Sequence, residues 1–374
     1  MGLRRVSSGD PAGQSAPSAE PSVHEIRPPG GGRRSPTPGR QRGLGGKVLQ
    51  GLDERTASIY APIRPQLSLV EERLGSLRDT TPDYLEPLLD HVLDSGGKRI
   101  RSAITLLAAD FFSHEQDNPV IMAAAVELLH LATLIHDDTV DDSDLRRGRP
   151  TVSSLWGKHV AVLFGDFLFA TSATFVCDTN NVRVIRRFSE TIMELATGEM
   201  AEYFNIFNLE QAQERYHDRI YRKTASLFRT AGETGSILGG AAELQIQAMC
   251  DYGYNIGMAF QMVDDLLDVQ GDPTKLGKPV GTDLLQGILT LPTIMLMERF
   301  PDDNPVKALF NDRTEDGHVR RALDMINNSG IVKDCYRVIR EFCDKATQSL
   351  EIMPDCDARR SLLDLPEYIR DRSR

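Results

Sequence analysis

Long apolar runs are missing from this 374-residue sequence. No uninterrupted stretch approaches the roughly 18 apolar residues of a membrane-spanning helix, so no span is expected. Cysteine is sparse. Cys177, Cys250, Cys335, Cys343 and Cys356 show no CxxC or zinc-ligand spacing, which points away from a thiolate metal site and fits free thiols in a reducing, cytoplasmic setting. Positive charge is in deficit, and a net charge of −11 speaks against nucleic acid as a partner. Strand-like alternation is scarce, whereas helical periodicity begins near Leu52. With 40% apolar and 26% charged residues, the composition is that of a soluble protein with ample core.

Residues 1–47 stand apart. Gly and Pro fill 17 of those 47 positions, and eight Lys/Arg against Asp10, Glu20 and Glu25 give +5, leaving −16 for the rest. Such a segment cannot bury enough surface to offset its chain entropy, so a disordered tail is expected. It lacks the apolar h-region of a secretory signal, and its glycines, prolines and acids speak against an organellar transit peptide. Residues 48–374 are expected to form one helical domain.

What the sequence does have is an apolar helix that runs straight into acid. In ELLHLATLIHDDTVDDSDLRRGRP, residues 127–150, the run from Leu128 to Ile135 ends at Asp137, Asp138 and Asp141. Asp137 and Asp141 share a helical face one turn apart, where like charges repel unless a cation lies between them. The arrangement recurs at Asp264, Asp265 and Asp268, again behind an apolar helix. Oxygen-only ligands suit Mg²⁺, which bridges carboxylates to substrate phosphates. Arg146, Arg147 and Lys278 supply nearby anion partners. A single acidic cluster is usually a solvated helix end, and a calcium loop would need Gly and Glu at fixed places that DDTVDDSD does not provide. Two matched copies, each followed by basic residues, read instead as a grip on diphosphate through metal.

These residues carry a resemblance. HDDTVDDSDLRRGRPT and FQMVDDLLDVQGDPTKLGKPVGTD resemble the two aspartate-rich motifs of the trans-isoprenyl (polyprenyl) diphosphate synthases. GGKRIRS at Gly96–Ser102 resembles that family's isopentenyl diphosphate loop, and KTASLF at Lys223–Phe228 its lysine–threonine motif. The likeness runs from about Leu67 to the C-terminus. It implies an all-α, single-domain, isoprenoid synthase-like bundle of about ten to thirteen helices around a central cavity. It also implies a prenyltransferase that joins isopentenyl diphosphate to an allylic diphosphate, farnesyl or geranylgeranyl, with Mg²⁺.

By that resemblance Asp137, Asp138, Asp141, Asp264, Asp265 and Asp268 hold the metals. Arg146, Lys223 and Lys278 bind the allylic diphosphate, with Thr224 and Gln261 beside them. Lys98, Arg101, His130 and Arg147 hold isopentenyl diphosphate. Two glycines before Lys98 let backbone approach an anion, and His130 lies two helical turns before Asp137 on the same face. Arg99 is expected to face elsewhere. The chain departs from many members at Ile288, where a lysine would offer another cation. Glu199 is a weaker candidate, and Trp156 reads as packing.

Product length follows from helix geometry. Thr133 and Ala132, one turn before Asp137, are small where short-chain members resembling this protein often carry an aromatic; Leu129 lies deeper. Each helical turn is about 5.4 Å, close to one isoprene unit, so a product beyond about four units is expected. Ala132→Phe should then shorten it. Family analogy implies a quinone side chain, transient membrane contact for product release, and a homodimer or a heteromer with a helper chain. The competing readings are a shorter-chain, geranylgeranyl-type synthase, a terpene cyclase, a non-catalytic regulatory subunit and a generic acidic metal-binding protein. The full second cluster and the GGKR loop tell against the cyclase, and both intact clusters against the subunit. Lys98, Arg101, Arg147 and Lys223 have no purpose in the last.

Overall fold

Helix α4, Asp117–Val140, sets the architecture. Residues 119–129 along it are buried on every side, including Met122, Leu128 and Leu129, so it has no solvent face over that span. Each such Leu or Met contributes about 1.5–3 kcal/mol when fully buried. Pro119 sits in its first turn, where a missing N–H costs nothing. The computed structural model describes residues 52–112, 117–210, 212–270, 280–311 and 317–371. The expected tail at 1–47 and Lys278 lie outside these residues.

Around α4 pack α1 (Arg64–Gly75), α3 (Ile100–Ala109) and α5 (Lys158–Asp178), with α2 (Glu86–Leu93) before the glycine loop. Helix α6, Val182–Phe204, starts where Asn181 Oδ1 accepts from the backbone N–H of Arg183 and Val184. Then come α7 (Ala212–Ile220), one π-helical turn at Tyr221–Ala225, and α8 (Ser226–Leu238). Helix α9, Glu243–Gln270, is the second long central helix, packed on α8 and on α10 (Ile331–Ser349). Helix α11, Asp357–Asp371, closes the described chain. The described residues fall within one compact unit, Gly43–Arg374.

The all-α class is as expected. Short helices such as Leu77–Thr80 and Val152–Trp156 supplement the long ones, so the chain is more finely divided than its periodicity suggests. The only strands among the described residues are Leu145–Arg146 and Arg149–Pro150, where a plain loop was expected. Their register pairs Arg146 with Arg149 across Arg147 and Gly148, both at positive φ (52° and 74°). That is a mirror-image two-residue hairpin turn, which matches strand twist and fixes where both arginines point.

Among the described residues, two helices are long and apolar enough to cross a membrane by length and composition, although neither holds an uninterrupted apolar run of that length. Polar residues spaced along them hid that length from the sequence. The apolar window of α4 is 78% buried within the chain; that of α5 is only 33% buried. Helix α5 therefore presents an apolar face outward.

Candidate active site

Both central helices deliver their acidic ends to one cavity of about 1010 Å³. Asp137 and Asp141 line it from α4, and Asp264 and Asp265 from α9. Lys98, Arg101, His130, Arg146, Arg147, Lys223, Thr224 and Gln261 line it as well. The cavity thus brings together residues from Leu52 to Thr290, 238 positions apart in the chain. Ile288 is on the wall too, so the missing cation is missing at the site itself.

Not every expected aspartate faces the cavity in the same way. Asp138 is 6% exposed, and both its oxygens accept from Arg146 Nε at 2.8 Å. Asp265 is 3% exposed: Oδ2 accepts from the Tyr216 hydroxyl at 2.8 Å and Oδ1 from Gln261 Nε2 at 2.9 Å. Asp268 accepts from the backbone N–H of Thr282 and Asp283 at the start of the next helix, and does not line the cavity. Of the six, Asp137, Asp141, Asp264 and Asp265 line the cavity, and Asp138, Asp265 and Asp268 accept from the protein donors just named. Thr133 stands on the wall. Ala132 and Leu129, expected beside it, are fully buried in the packed interior.

The electrostatics explain why an ion belongs here. Burial pushes the Asp137 carboxyl up to about 7, even though Lys223 pulls it down; Glu199 and Asp141 push it further up. A cation bound beside it would hold that carboxyl charged. Among the described residues no group of three or more acidic, histidine or cysteine side chains is gathered tightly enough to hold a metal by itself. The donor set is all oxygen and open, which fits a hard cation that takes its remaining ligands from water and phosphate.

The lysine–threonine motif lies in the π-helical turn, a deviation that often marks function. Backbone crowding holds it there. A Cβ on Gly198 of α6 would lie 2.7 Å from Arg222 Cβ and 3.0 Å from the Lys223 nitrogen. A Cβ on Gly257 of α9 would lie 2.5 Å from the Ala225 Cα. Two glycines thus let α6 and α9 grip the turn from either side. Lys223 Nζ then meets Glu202 at 2.6 Å and Glu199 at 2.9 Å. Burial alone would lower the Lys223 pKa; Glu202 and Glu199 outweigh it and keep the ammonium charged. Thr224 Oγ1 donates to Gln261 Oε1 at 2.6 Å, so Thr224, Gln261, Asp265 and Tyr216 form one chain.

On the opposite wall, Arg101 Nη1 meets His130 Nε2 at 3.2 Å. A guanidinium can only donate, so this nitrogen accepts and Nδ1 carries the proton. Burial, then Arg101, pushes the His130 pKa well below its usual value and leaves it neutral. Arg101 also lies 4.4 Å over the Phe228 ring, and Lys98 4.7 Å over Tyr368. Arg147 Nη1 donates to the Gly96 carbonyl at 2.7 Å. Sequence reasoning missed Glu202, Tyr216, Glu71 and Glu127. A lone glutamate within the apolar run of α4 was the one available signal for Glu127, since a buried carboxylate demands a cation.

The family model described as "Polyprenyl synthetase" matches residues 82–326. This chain belongs to the polyprenyl synthetase family. It is 35% identical over 318 residues to "Heptaprenyl diphosphate synthase component 2" of Geobacillus stearothermophilus, covering 84% of this chain and 98% of that one. It is 35% identical over 331 residues to the octaprenyl diphosphate synthase of Escherichia coli K12, covering 87% and 99%. Among solved structures, a polyprenyl synthase from Caulobacter crescentus, complexed with calcium and isoprenyl diphosphate, superposes with a TM-score of 0.79 at 32% identity, covering 85% and 98%. A relative named as a short-chain synthase matches at 31%, so membership alone does not set product length.

Proposed function

We propose that this family member is an all-trans polyprenyl diphosphate synthase that extends farnesyl or geranylgeranyl diphosphate with isopentenyl diphosphate units to a long-chain product. The observation that carries the reading is the meeting of Asp137, Asp141 and Asp264 with Lys98, Arg101, Arg146, Arg147 and Lys223 in one cavity. Lys98, Arg101 and Arg147 suit one diphosphate; Arg146 and Lys223 suit the other.

Asp137, Asp141 and Asp264 are the residues that would hold Mg²⁺. Bound there, it would supply positive charge where the leaving diphosphate gains negative charge. The allylic C–O bond breaks, and pyrophosphate leaves with the electron pair. Lys223 and Arg146 neutralise its growing charge, which stabilises the transition state more than the ground state. The double bond of isopentenyl diphosphate, held by Lys98, Arg101 and neutral His130, attacks the allylic carbocation and forms the new C–C bond. A proton then leaves the carbon next to the new cation, the departed pyrophosphate being the base, and the double bond is restored. No side chain acts as a nucleophile. Buried aromatic and aliphatic walls around Phe228 and Phe260 keep water from the cation.

Small Thr133 on the wall below Asp137 supports a product longer than about four units, at one helical turn of about 5.4 Å per unit. The long-chain names of the relatives at 35% identity point the same way. A quinone side chain is the use such a product serves in this reading, with cytoplasmic synthesis and transient membrane contact at release. A homodimer is supported by apolar side chains left outward on α5 and α6: Leu163 is 69% exposed, Met193 61%, Tyr203 67% and Phe204 77%.

The test is to incubate the full chain with Mg²⁺, farnesyl diphosphate and labelled isopentenyl diphosphate, then size the products. The reading requires chains beyond four units, and Thr133→Phe should shorten them. Product no longer than the primer rejects elongation, and a stop at four units rejects the long-chain reading alone. An inactive chain that gains activity only with a second polypeptide would make it one component of a heteromer.

A further inference from the structure

The three basic residues after Gly97 part company. All three border the cavity, but Arg99 is only 5% exposed and its side chain turns onto two carboxylates. Arg99 Nε donates to Glu71 Oε1 on α1 at 2.8 Å, and Nη1 to Glu127 Oε1 on α4 at 2.6 Å. The second oxygen of Glu127, itself 4% exposed, accepts from Ser102 Oγ on α3 at 3.0 Å. One guanidinium therefore ties three helices to the loop. Burial would raise the Glu127 carboxyl, but Arg99 outweighs it and holds the group below the usual carboxylate range.

As a source of stability this arrangement is poor. Two charges taken out of water regain little over well-packed apolar side chains of equal volume. Arg99 also sits at φ 50° as the N-cap of α3, a left-handed conformation that a β-carbon disfavours. What the triad does fix is direction. The left-handed residue reverses the chain between Lys98 and Ile100, which leaves Lys98 and Arg101 on the cavity side. Two further contacts hold the same loop: Arg147 on the Gly96 carbonyl, and the Tyr60 hydroxyl on the Lys98 carbonyl at 2.7 Å. The second lies on the peptide that enters the turn, and the triad holds the residue at its centre.

We propose that Arg99, held by Glu71 and Glu127, is a positioning residue for isopentenyl diphosphate: it sets the left-handed turn that presents Lys98 and Arg101 to that diphosphate. This rests on the reading of the cavity given above. Its Nε and Nη1 are committed to the two carboxylates, and in this role Arg99 acts through its neighbours.

The test uses the full chain and three variants: Glu71→Gln, Arg99→Lys, and the apolar triple Glu71→Leu, Arg99→Met, Glu127→Leu. A misplaced clamp weakens its own substrate, so the triple variant should raise KM for isopentenyl diphosphate at least about tenfold. KM for farnesyl diphosphate should move less than about twofold, because Lys223 and Arg146 are held by Glu199, Glu202 and Asp138, not by the triad. Glu71→Gln keeps the Arg99–Glu127 pair, so it folds and gives a smaller rise with the same selectivity. Arg99→Lys, which retains the charge but not the fork, falls between wild type and the triple variant. Folded variants with unchanged KM for isopentenyl diphosphate, or with both KM values raised alike, overturn the proposal. Should the triple variant not fold, Glu71→Gln alone decides in the same way. A wild-type chain that consumes no isopentenyl diphosphate refutes the reading of the cavity, and does so before any variant is compared.

Discussion

Tyr216→Phe removes one hydroxyl from a ring that is 1% exposed and leaves the packing intact. That hydroxyl donates to Asp265 Oδ2 at 2.8 Å. A hydrogen bond to a charged group contributes about 1.5–3 kcal/mol, and its loss leaves a buried carboxylate oxygen without a donor. A domain of about 150–250 residues loses about 2–4 °C of Tm per kcal/mol, and this longer one belongs at the low end, so Tm should fall by about 3–6 °C. The drop should depend on pH in a defined sense. Burial raises the Asp265 carboxyl from 3.8 to about 6, with the Gln261 and Tyr216 hydrogen bonds pulling it back down. The folded state thus binds the extra proton, and this group's contribution to stability falls as pH rises from 3.8 to about 6. Losing Tyr216 raises the folded pKa further, so the gap between variant and wild type should be wider at pH 7 than at pH 4. The assay is thermal unfolding in chelator across that range, followed by steady-state kinetics with Mg²⁺. Because Asp265 shares Gln261 with Thr224, kcat should fall about tenfold while KM for isopentenyl diphosphate holds. A variant with wild-type Tm and kcat at pH 7 refutes the idea that Asp265 is anchored by Tyr216.

Two further outcomes follow from the same geometry. Gly165→Ala would bring a β-carbon to 2.2 Å from His136 Nε2, and such overpacking costs about 1–3 kcal/mol. Since His136 precedes Asp137, the Mg²⁺ concentration for half-maximal activity should rise along with the loss of Tm; a fall in Tm alone would mean the clash is absorbed elsewhere. His130 is held neutral, so the acid limb of kcat/KM for isopentenyl diphosphate should be the same in His130→Gln as in wild type. Gln keeps an acceptor for Arg101, whereas His130→Ala should raise that KM; a limb near pH 6.5 present only in wild type would contradict the neutral assignment.

Much of the site could be read in the sequence because helical periodicity is local. Two apolar helices ending in aspartates at i and i+4 needed no tertiary information, nor did His130 two turns below Asp137. What the sequence could not show depends on contacts between distant residues. The partners of Asp138 and Asp265, Arg146 for the first and Tyr216, 49 residues earlier, for the second, could not be read from local pattern. The π-helical turn under Lys223 comes from Gly198 and Gly257 on other helices, not from its own residues. Arg99 borders the cavity with its neighbours, but its pairing with two carboxylates 28 residues away on either side could not be read from the motif. Ala132 and Thr133 differ by one helical position, about 100° of rotation, and that suffices to put one in the core and the other on the wall.

The central claim is that two acidic helix ends act together on one diphosphate through a divalent cation. Calorimetric titration of inorganic pyrophosphate into the full chain tests it most directly, with and without Mg²⁺. The account predicts binding that requires Mg²⁺ in wild type and is lost in Asp137→Ala and in Asp264→Ala alike. Pyrophosphate that binds equally well without Mg²⁺, or that still binds when either aspartate is replaced, would contradict it.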